Sequence, residues 1–450
     1  MAGEAANFSQ LALVHVLALR NADAETASRA ALTLAERLPS GPTRAACYRV
    51  EAQLAMLNRD CEAAVARAEQ AIAMAREHDC REVLAAATGT LGTALMFLDY
   101  EAGCARLQEA LQLAQAEGLH LIAANSLSNL GSGSGEVMRL PEAHAYLLAA
   151  VAFAREHEID FYHHYALAWL ALCELHLGRW DDAAAHAHEA LRHASQHSTS
   201  RVMALVALGR LRARRGDPGV ADLLDEALEL AETSGTLQRV APVRAARAEA
   251  AWLAGDPARA ALEARAALGQ ARKHRHAWFV GELLRWLPVS ELIDGEPCAA
   301  PHAQLLVGDW PAAAAHWEAL ACPYEQAWAL SHGDAAAQRE ALERFEAMGA
   351  QAAARALRTR LQAAGERDLP RGKRASTRGN PHQLTTREIE TLTLLCQGLR
   401  NAEIAERLSR SVRTIDHHLA AIYGKLGVAG RGEAVAMAQQ LLPRQSAAEK

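Results

Sequence analysis

The stretch AHAYLLAAVAFARE, residues Ala143–Glu156, sets alanines among larger apolar side chains at helical spacing. Ala143, Ala150 and Ala154 lie seven and four positions apart, so they fall on one face of a helix. Alanine and leucine lose little conformational freedom on entering a helix, and a face of alanines lets a neighbouring helix approach closely. The stretch therefore predicts a helix whose small-residue face packs against a second helix.

The same pattern recurs along the chain: an alanine, an apolar residue, two spacers and a second alanine. We call this pattern the alanine mark. It occurs seven times, at successive spacings of 40, 39, 40, 40, 37 and 40 residues, and this near-constant period indicates a helical repeat array. The seven marks are Ala31-Leu32…Ala35, Ala71-Ile72…Ala75, Ala110-Leu111…Ala114, Ala150-Val151…Ala154, Ala190-Leu191…Ala194, Ala227-Leu228…Ala231 and Ala267-Leu268…Ala271.

Each repeat has the same internal order. A short turn such as LGRWDDA or AGDPARA separates two helices, and the second helix carries the alanine mark. Leu-Gly pairs on first helices, at Gly92, Gly131 and Gly209, offer further small surfaces for close packing. This order resembles tetratricopeptide repeats, with a unit longer than the standard of about 34 residues. The resemblance implies a right-handed superhelix with a continuous core and an extended concave face.

The period also predicts how the chain is divided. After residue 286 the period is lost, although the composition between residues 308 and 365 predicts four more helices, and Asp294–Ala303 is predicted to be a loop. A stretch with few apolar residues follows and is expected to be extended or disordered. The predicted divisions are a repeat array at 1–286, degenerate repeats completing it at 287–365, a basic flexible linker at 366–383, a four-helix domain at 384–442 and a tail at 443–450.

Charge is spread unevenly between these parts. Residues 366–450 carry 14 Lys/Arg and 9 Asp/Glu, a balance of +5, whereas residues 1–365 carry 33 and 44, a balance of −11. Such asymmetry indicates a basic, nucleic-acid-binding tail on an acidic body, or else solvated faces that differ by chance. The basic residues of the linker are compatible with a plain tether and with contacts to phosphates.

Several classes of protein are disfavoured by the sequence. Eight dispersed cysteines without a CxxC pair predict reduced core residues in a cytoplasmic protein. No apolar run reaches about 18 residues, so we expect no membrane span. There is no GxxxxGK[ST] phosphate loop and no catalytic constellation, so we expect neither an enzyme nor a bound cofactor.

The last domain carries dense helix signals. Thr385 and Glu388 fit a capping box, Gly398 is expected to end the first helix, and Asn401 is expected to cap the second. Ser411 is expected to cap the third helix, after a short turn. Two short helices joined in this way form a helix-turn-helix motif, and Arg431–Leu441 is predicted to be a fourth helix.

These residues resemble the LuxR-type DNA-binding domain of bacterial regulators over residues 384–442. The shared motif runs LTTREIETLTLLCQGLRNAEIAERLSRSVRTIDHHLAAIYGKLGVAGRGEAV. The linker and the TIDHH variant further resemble large MalT-like regulators, in which an ATPase module precedes a helical-repeat region. The resemblance implies binding to double-stranded promoter DNA as a homodimer formed through the fourth helix, although the ATPase phosphate loop is missing here.

The third helix is predicted to have two faces. Val412, Ile415, Leu419, Ile422 and Leu426 follow helical spacing and should pack inward. The opposite face should contact bases in the major groove, through Arg413, Asp416, His417 and Ala420. Residues expected to contact the DNA backbone are Asn401, Ser411, Thr414, Lys425 and Arg431.

Some alternatives stay open at this level. Asp416 is also explained as an acidic residue favoured by the helix dipole near an N-terminus. Adjacent histidines, as at His417 and His418, diverge by about 100° around a helix, so we expect no metal site there. The predicted protein is an all-α regulator whose repeats bind an unknown effector or protein partner on the concave face. The competing hypothesis is a repeat-based interaction scaffold with a weakened DNA-binding domain.

Overall fold

A computed structural model describes residues 1–193, 198–293, 295–366, 384, 386–408, 410–428 and 430–441. Within these ranges the chain forms 24 α-helices and one short 3-10 helix, with no β-strand, so the all-α prediction is confirmed. The chain divides into two compact units, Met1–Arg367 and Asp368–Lys450, which we call unit 1 and unit 2. The predicted linker, apart from Glu366, and the predicted tail lie outside the described residues.

The first fourteen helices form seven pairs, and in each pair the second helix carries an alanine mark, as the period predicted. The pairs are α1 (Ala2–Leu17) with α2 (Asn21–Ala35), α3 (Pro42–Leu57) with α4 (Cys61–Glu77), α5 (Arg81–Leu95) with α6 (Tyr100–Ala116), α7 (His120–Glu136) with α8 (Leu140–Glu156), α9 (Asp160–His176) with α10 (Trp180–His193), α11 (Thr199–Arg215) with α12 (Val220–Ser234), and α13 (Leu237–Leu253) with α14 (Pro257–Lys273).

The alanine marks lie at the helix contacts. Every described alanine of the seven marks is at most 2% exposed, while Ala194 lies outside the described residues. A Cβ added to Gly92 would lie 2.7 Å from the backbone nitrogen of Leu107, and one added to Gly131 would lie 2.6 Å from Leu147 Cγ. Neighbouring helices therefore approach so closely at these positions that no larger side chain fits.

Unit 1 continues beyond the seven pairs with shorter helices. They are α15 (Ala277–Leu284), a 3-10 turn (Val289–Glu291), α16 (Ala300–Leu306), α17 (Trp310–Ala319), α18 (Pro323–Leu330), α19 (Ala335–Met348) and α20 (Gln351–Ala363). The last four confirm the four helices predicted between residues 308 and 365. Helix α16 was wrongly assigned to a loop. Its Pro301 lies in the first turn of the helix, where a backbone N–H would have no acceptor within the helix, so proline is tolerated there.

The later helices contact the repeat pairs through buried charges. Glu325 of α18 pairs with Arg214 of α11 at 3.0 Å and with Arg285, just after α15, at 2.6 Å. All three side chains are at most 9% exposed. These buried ion pairs therefore hold α18 against α11 and the segment just after α15.

A second buried ion pair joins distant repeats. Arg59 donates to both oxygens of Glu136 at 2.6 Å, and His276 Nε2 lies 3.0 Å from Glu136 Oε1. His276 Nδ1 accepts the backbone amide of Phe279 at 3.2 Å, which makes Nε2 the protonated, donating nitrogen. Burial alone would raise the pKa of Glu136, but Arg59 and His276 overcome it and lower that pKa to about 2.

None of the described helices is both long enough and apolar enough to cross a membrane. All eight cysteines are free thiols, and five of them are buried, as predicted for small core residues.

Replacing Gly92 by alanine should destabilise unit 1, because the new methyl group would overlap the backbone of α6. We expect a loss of about 1–3 kcal/mol in the free energy of unfolding, measured by urea titration. Gly269→Ala is the matched control, since Gly269 lies within α14 with no atom within 4 Å of an added Cβ, and it should be neutral or stabilising. Equal losses in the two variants would contradict close helix packing at Gly92.

Replacing Glu136 by glutamine should destabilise unit 1 at neutral pH, because Arg59 would stay buried without its counter-charge. We expect a loss of about 3 kcal/mol in the free energy of unfolding. The control is Glu62→Gln, since Glu62 and Arg275 pair with 79% and 85% of their side chains exposed, and such pairs contribute little. A change in Glu62→Gln as large as that in Glu136→Gln would argue against the buried pair.

The lowered pKa of Glu136 also predicts an acid-sensitive step. Its pKa falls from 4.5 to about 2 on folding, so its stabilisation is complete above about pH 4.5 and is lost as the pH falls towards 2. Unfolding free energies measured across this window should fall more steeply for the wild type than for Glu136→Gln. Parallel curves would show that this carboxylate does not contribute to acid lability.

Candidate nucleic-acid interface

Unit 2 contains four described helices around one small core. They are α21 (Thr386–Cys396), α22 (Asn401–Arg407), α23 (Val412–Leu426) and α24 (Arg431–Leu441), and the last has the bounds that the sequence predicted. The core draws on all four, with Leu392, Ile404, Ile422 and Ala434 each at most 1% exposed. Because these side chains meet at one centre, the short helices fix one another's orientation.

The ends of the helices follow the predicted chemistry in part. Gly398, two residues after α21, has a φ of +84°, and Gly427 closes α23 with a φ of +66°. Ser411 caps α23, since its hydroxyl accepts the amide of Thr414 at 3.2 Å. The capping box predicted for α21 depends on Thr385, which lies outside the described residues.

The inward face of α23 is almost as predicted. Ile415, Leu419, Ile422 and Leu426 are at most 5% exposed, whereas Val412 is 46% exposed. The assignment of Val412 to the packing face was therefore wrong. Val412 is the first residue of the helix and does not belong to the core that the four helices share.

The outward face of α23 is open to solvent. Arg413, Asp416, His417 and Ala420, the predicted base contacts, are all exposed. Within the described residues Arg413 and His417 make no side-chain hydrogen bond, whereas Asp416 Oδ1 accepts the side-chain amide of Asn401 at 2.8 Å. The outward face of α23 therefore presents Arg413 and His417, which have no side-chain partner among the described residues. Beside them lies the carboxylate of Asp416, which already accepts a hydrogen bond from Asn401.

Asn401 connects three helices. It was predicted to cap α22, but it is the first residue of that helix and Arg400 precedes it as the cap residue. Its amide instead donates to Asp416 of α23, and its oxygen lies 3.4 Å from an N–H of Arg431, the first residue of α24. Arg431 also donates to the carbonyl of Leu399 at 2.6 Å. Three predicted DNA-contacting residues therefore orient one another.

The other predicted backbone contacts also have protein partners. The hydroxyls of Ser411 and Thr414 lie 2.8 Å apart, and both belong to the cap of α23. Lys425 donates to both oxygens of Glu388 on α21, at 2.8 and 2.6 Å. Glu388 is only 5% exposed, so this ion pair holds the end of α23 against α21. The side chain of Lys425 itself stays partly open to solvent.

Sequence reasoning did not single out two exposed cations near this face. Arg400 caps α22, and its amide donates to Glu403 at 2.5 Å, while Arg410 lies in the turn just before Ser411. Arg410 could have been found from the sequence, because it is a basic residue in the turn of the helix-turn-helix motif. The partnership of Lys425 with Glu388 had none, because the two lie 37 residues apart.

A match to known proteins covers this part of the chain. Residues 382–438 match the family model described as bacterial regulatory proteins, luxR family. Unit 2 therefore carries a LuxR-family helix-turn-helix domain, as the sequence motif predicted.

Relatives of known name match the same region. The transcriptional regulator MalT of Serratia proteamaculans is 49% identical over 59 residues, and MalT of Yersinia pestis (strain Pestoides F) is 48% identical over 59 residues. In each case the match covers 13% of this chain and only 6% of the relative's length. The shared domain is thus a small part of those larger proteins.

Two solved structures resemble the chain loosely. A Rap protein in complex with competence and sporulation factor shares 13% identity, with a TM-score of 0.48 over 81% of this chain and 98% of that one. The apo quorum sensor NprR from B. thuringiensis shares 12% identity, with a TM-score of 0.37 over 80% and 98%. Neither likeness bears on what this chain binds.

Replacing Ser411 by alanine should lower the stability of unit 2, because the amide of Thr414 would lose its acceptor. We expect a loss of about 1 kcal/mol, measured as a lower urea midpoint followed by the circular dichroism of the chain. Ser411→Asp keeps an acceptor at the helix N-terminus and should retain the wild-type midpoint. If both variants lost the same stability, the hydroxyl would not be acting as a cap.

Proposed function

We propose that the protein is a bacterial transcriptional regulator, in which unit 2 binds promoter DNA in the cytoplasm and unit 1 responds to an effector or a protein partner. The match of residues 382–438 to the LuxR family carries this proposal. The exposed outward face of α23 supports it, since a recognition helix presents such a face to the major groove.

Base reading is assigned to the outward face of α23. Arg413 and His417 are exposed donors without a side-chain partner among the described residues, and each can donate to guanine N7 or O6. Asp416 gives one oxygen to Asn401 and keeps acceptor capacity for a cytosine amino group. Ala420 offers a methyl group, which suits contact with a thymine methyl.

Backbone contacts are assigned to residues that the fold already orients. Asn401, Ser411, Thr414, Lys425 and Arg431 each take part in a hydrogen bond or ion pair that fixes the side chain. The amide of Asn401, the ammonium of Lys425 and the guanidinium of Arg431 keep further N–H donors for phosphate oxygens. Of the Ser411 and Thr414 hydroxyls, one donates to the other, so one O–H remains for a phosphate. Such contacts set the register of the helix on DNA without reading sequence.

Dimerisation is assigned to α24, as the LuxR resemblance implies. Two copies would then place their α23 helices on half-sites about one helical turn apart. A palindromic or near-palindromic site is the expected DNA target.

A second candidate function is that of an interaction scaffold with little affinity for DNA. The observation favouring it is the composition of the α23 face, where Asp416 adds a negative charge and Ala420 adds none. A carboxylate facing phosphates weakens binding unless a donor engages it, and Asn401 supplies such a donor. Because of this hydrogen bond between Asn401 and Asp416, we prefer the DNA-binding regulator to the scaffold as the proposed function.

Binding of the full chain to duplex DNA, measured by fluorescence anisotropy at increasing salt, tests the main proposal. Affinity should fall linearly on a logarithmic plot, since phosphate contacts release bound counterions. Duplexes selected from a random pool are the substrates, and a scrambled duplex is the control. Absence of binding to every duplex at low salt would instead favour the scaffold.

Two substitutions test the division between base and backbone contacts. His417→Ala should change the preferred base at one position by about 1–3 kcal/mol of discrimination while leaving non-specific affinity nearly unchanged. Arg410→Gln should weaken all duplexes alike and lower the salt slope by about 1. Both side chains are exposed, so neither change should affect folding. Uniform weakening by His417→Ala would refute its assignment to base reading.

A further inference from the structure

Unit 1 contains a partly open cavity among its later helices, which we call the chamber. Its volume is about 80 Å³, and first helices of the later pairs supply much of its wall, with α15 to α18 completing it. Aromatic side chains dominate, including Trp169, Trp278 and Trp317. Arg210 and Arg285 also line it, so polar groups stand among apolar ones, as in small-molecule sites.

Among the described residues, three N–H donors on these lining side chains have no hydrogen-bond partner. They are the indole Nε1 of Trp169 and the guanidinium Nε atoms of Arg210 and Arg285. The side chains are deeply buried: Trp169 is 5% exposed, Arg210 4% and Arg285 9%. Buried donors without an acceptor destabilise a fold and are rare, so three around one chamber point to an acceptor that belongs there.

The carboxylates nearby do not supply that acceptor. Arg210 engages Glu282 through a terminal nitrogen, and Arg285 engages Glu325 at 2.6 Å, also through a terminal nitrogen. Each pair leaves the Nε–H of its arginine available. His176, also in the wall, has its pKa lowered to about 4 by burial and by Arg214 and Arg210, so it is neutral at pH 7.

A larger cavity of about 530 Å³ lies beside the chamber and shares Trp278 with it. We call it the vestibule. Arg59 and His276 line the vestibule while their partner Glu136 lines the chamber, so this buried cluster separates the two. The vestibule also carries Arg139, Lys273 and Arg275 against Asp60 and Glu62. Its excess of positive charge attracts anions.

We propose that the chamber binds the carboxylate of a small organic acid. The carboxylate oxygens accept the unpaired N–H groups of Trp169, Arg210 and Arg285, and the apolar walls enclose the carbon chain. A dry cavity of about 150 Å³ holds benzene, so about half that volume suits only the smallest organic acids, such as acetate or propionate. This inference rests on the proposed sensing role of unit 1 and gives its effector a chemical class.

Titration calorimetry on the full chain tests the inference, with sodium propionate and sodium acetate as probes against propionamide at constant ionic strength. Propionate should bind saturably with a Kd of about 1 mM or tighter, and propionamide at least ten-fold more weakly, because hydrogen bonds to a charged acceptor are stronger. Tryptophan fluorescence should report the same saturation, since three indoles line the chamber. Equal binding of amide and acid, or no binding of either acid, would overturn the proposal.

Trp169→Phe keeps the ring and removes one N–H, and should weaken propionate binding about ten-fold. Trp286→Phe is the matched control, since its buried indole N–H also has no partner in the described structure but the residue does not line the chamber. The control should bind propionate as the wild type does. Equal weakening in both variants would place the acid elsewhere.

DNA binding of the same samples separates this inference from the regulator proposal. If the chain binds duplex DNA but no acid, the proposal of a chamber ligand is refuted and the regulator proposal is retained. If the chain binds the acid but no duplex, the chamber ligand is supported and the regulator proposal is refuted.

Discussion

The close approach of helices at the alanine marks is the constraint on which unit 1 depends. An α-helix can pack this near a neighbour only where the facing side chain is a methyl group or a hydrogen, as at Gly92 against Leu107. Repeating that contact about every 40 residues stacks one pair on the next. Each pair gains its core from its neighbours, so the array folds as a continuous structure.

The charges inside unit 1 follow from that stacking. Once the pairs stack, residues far apart in sequence come into contact, as Arg59 and Glu136 do from 77 residues apart. Buried ions are tolerated when their charges and hydrogen bonds are matched. Around the chamber the charged side chains form ion pairs, whereas three N–H groups have no hydrogen-bond acceptor among the described residues. A site with paired charges and unpaired donors is prepared for an acceptor ligand.

Unit 2 uses contacts between polar side chains to hold its outward face. Asn401 joins Asp416 and Arg431, so the first turns of α22, α23 and α24 are linked at one point. Lys425 and Glu388 make a comparable link at the other end of α23. The hydrophobic core sets the angle of α23, and these two links fix its ends. Arg413 and His417 remain exposed on a rigid support.

The sequence by itself determined the all-α class, the seven helix pairs, the close contacts at the alanine marks and the helix-turn-helix domain. These features depend on local spacing and capping, which neighbouring residues encode directly. It misplaced α16, Val412 and the cap of α22, because burial and side-chain partners depend on elements distant in sequence. Only the tertiary structure decided that Asp416 accepts a hydrogen bond from Asn401, that Lys425 pairs with Glu388, and that Glu325 pairs with Arg214. Those contacts form across separations of 15 to 111 residues, where no periodic signal in the chain specifies a partner.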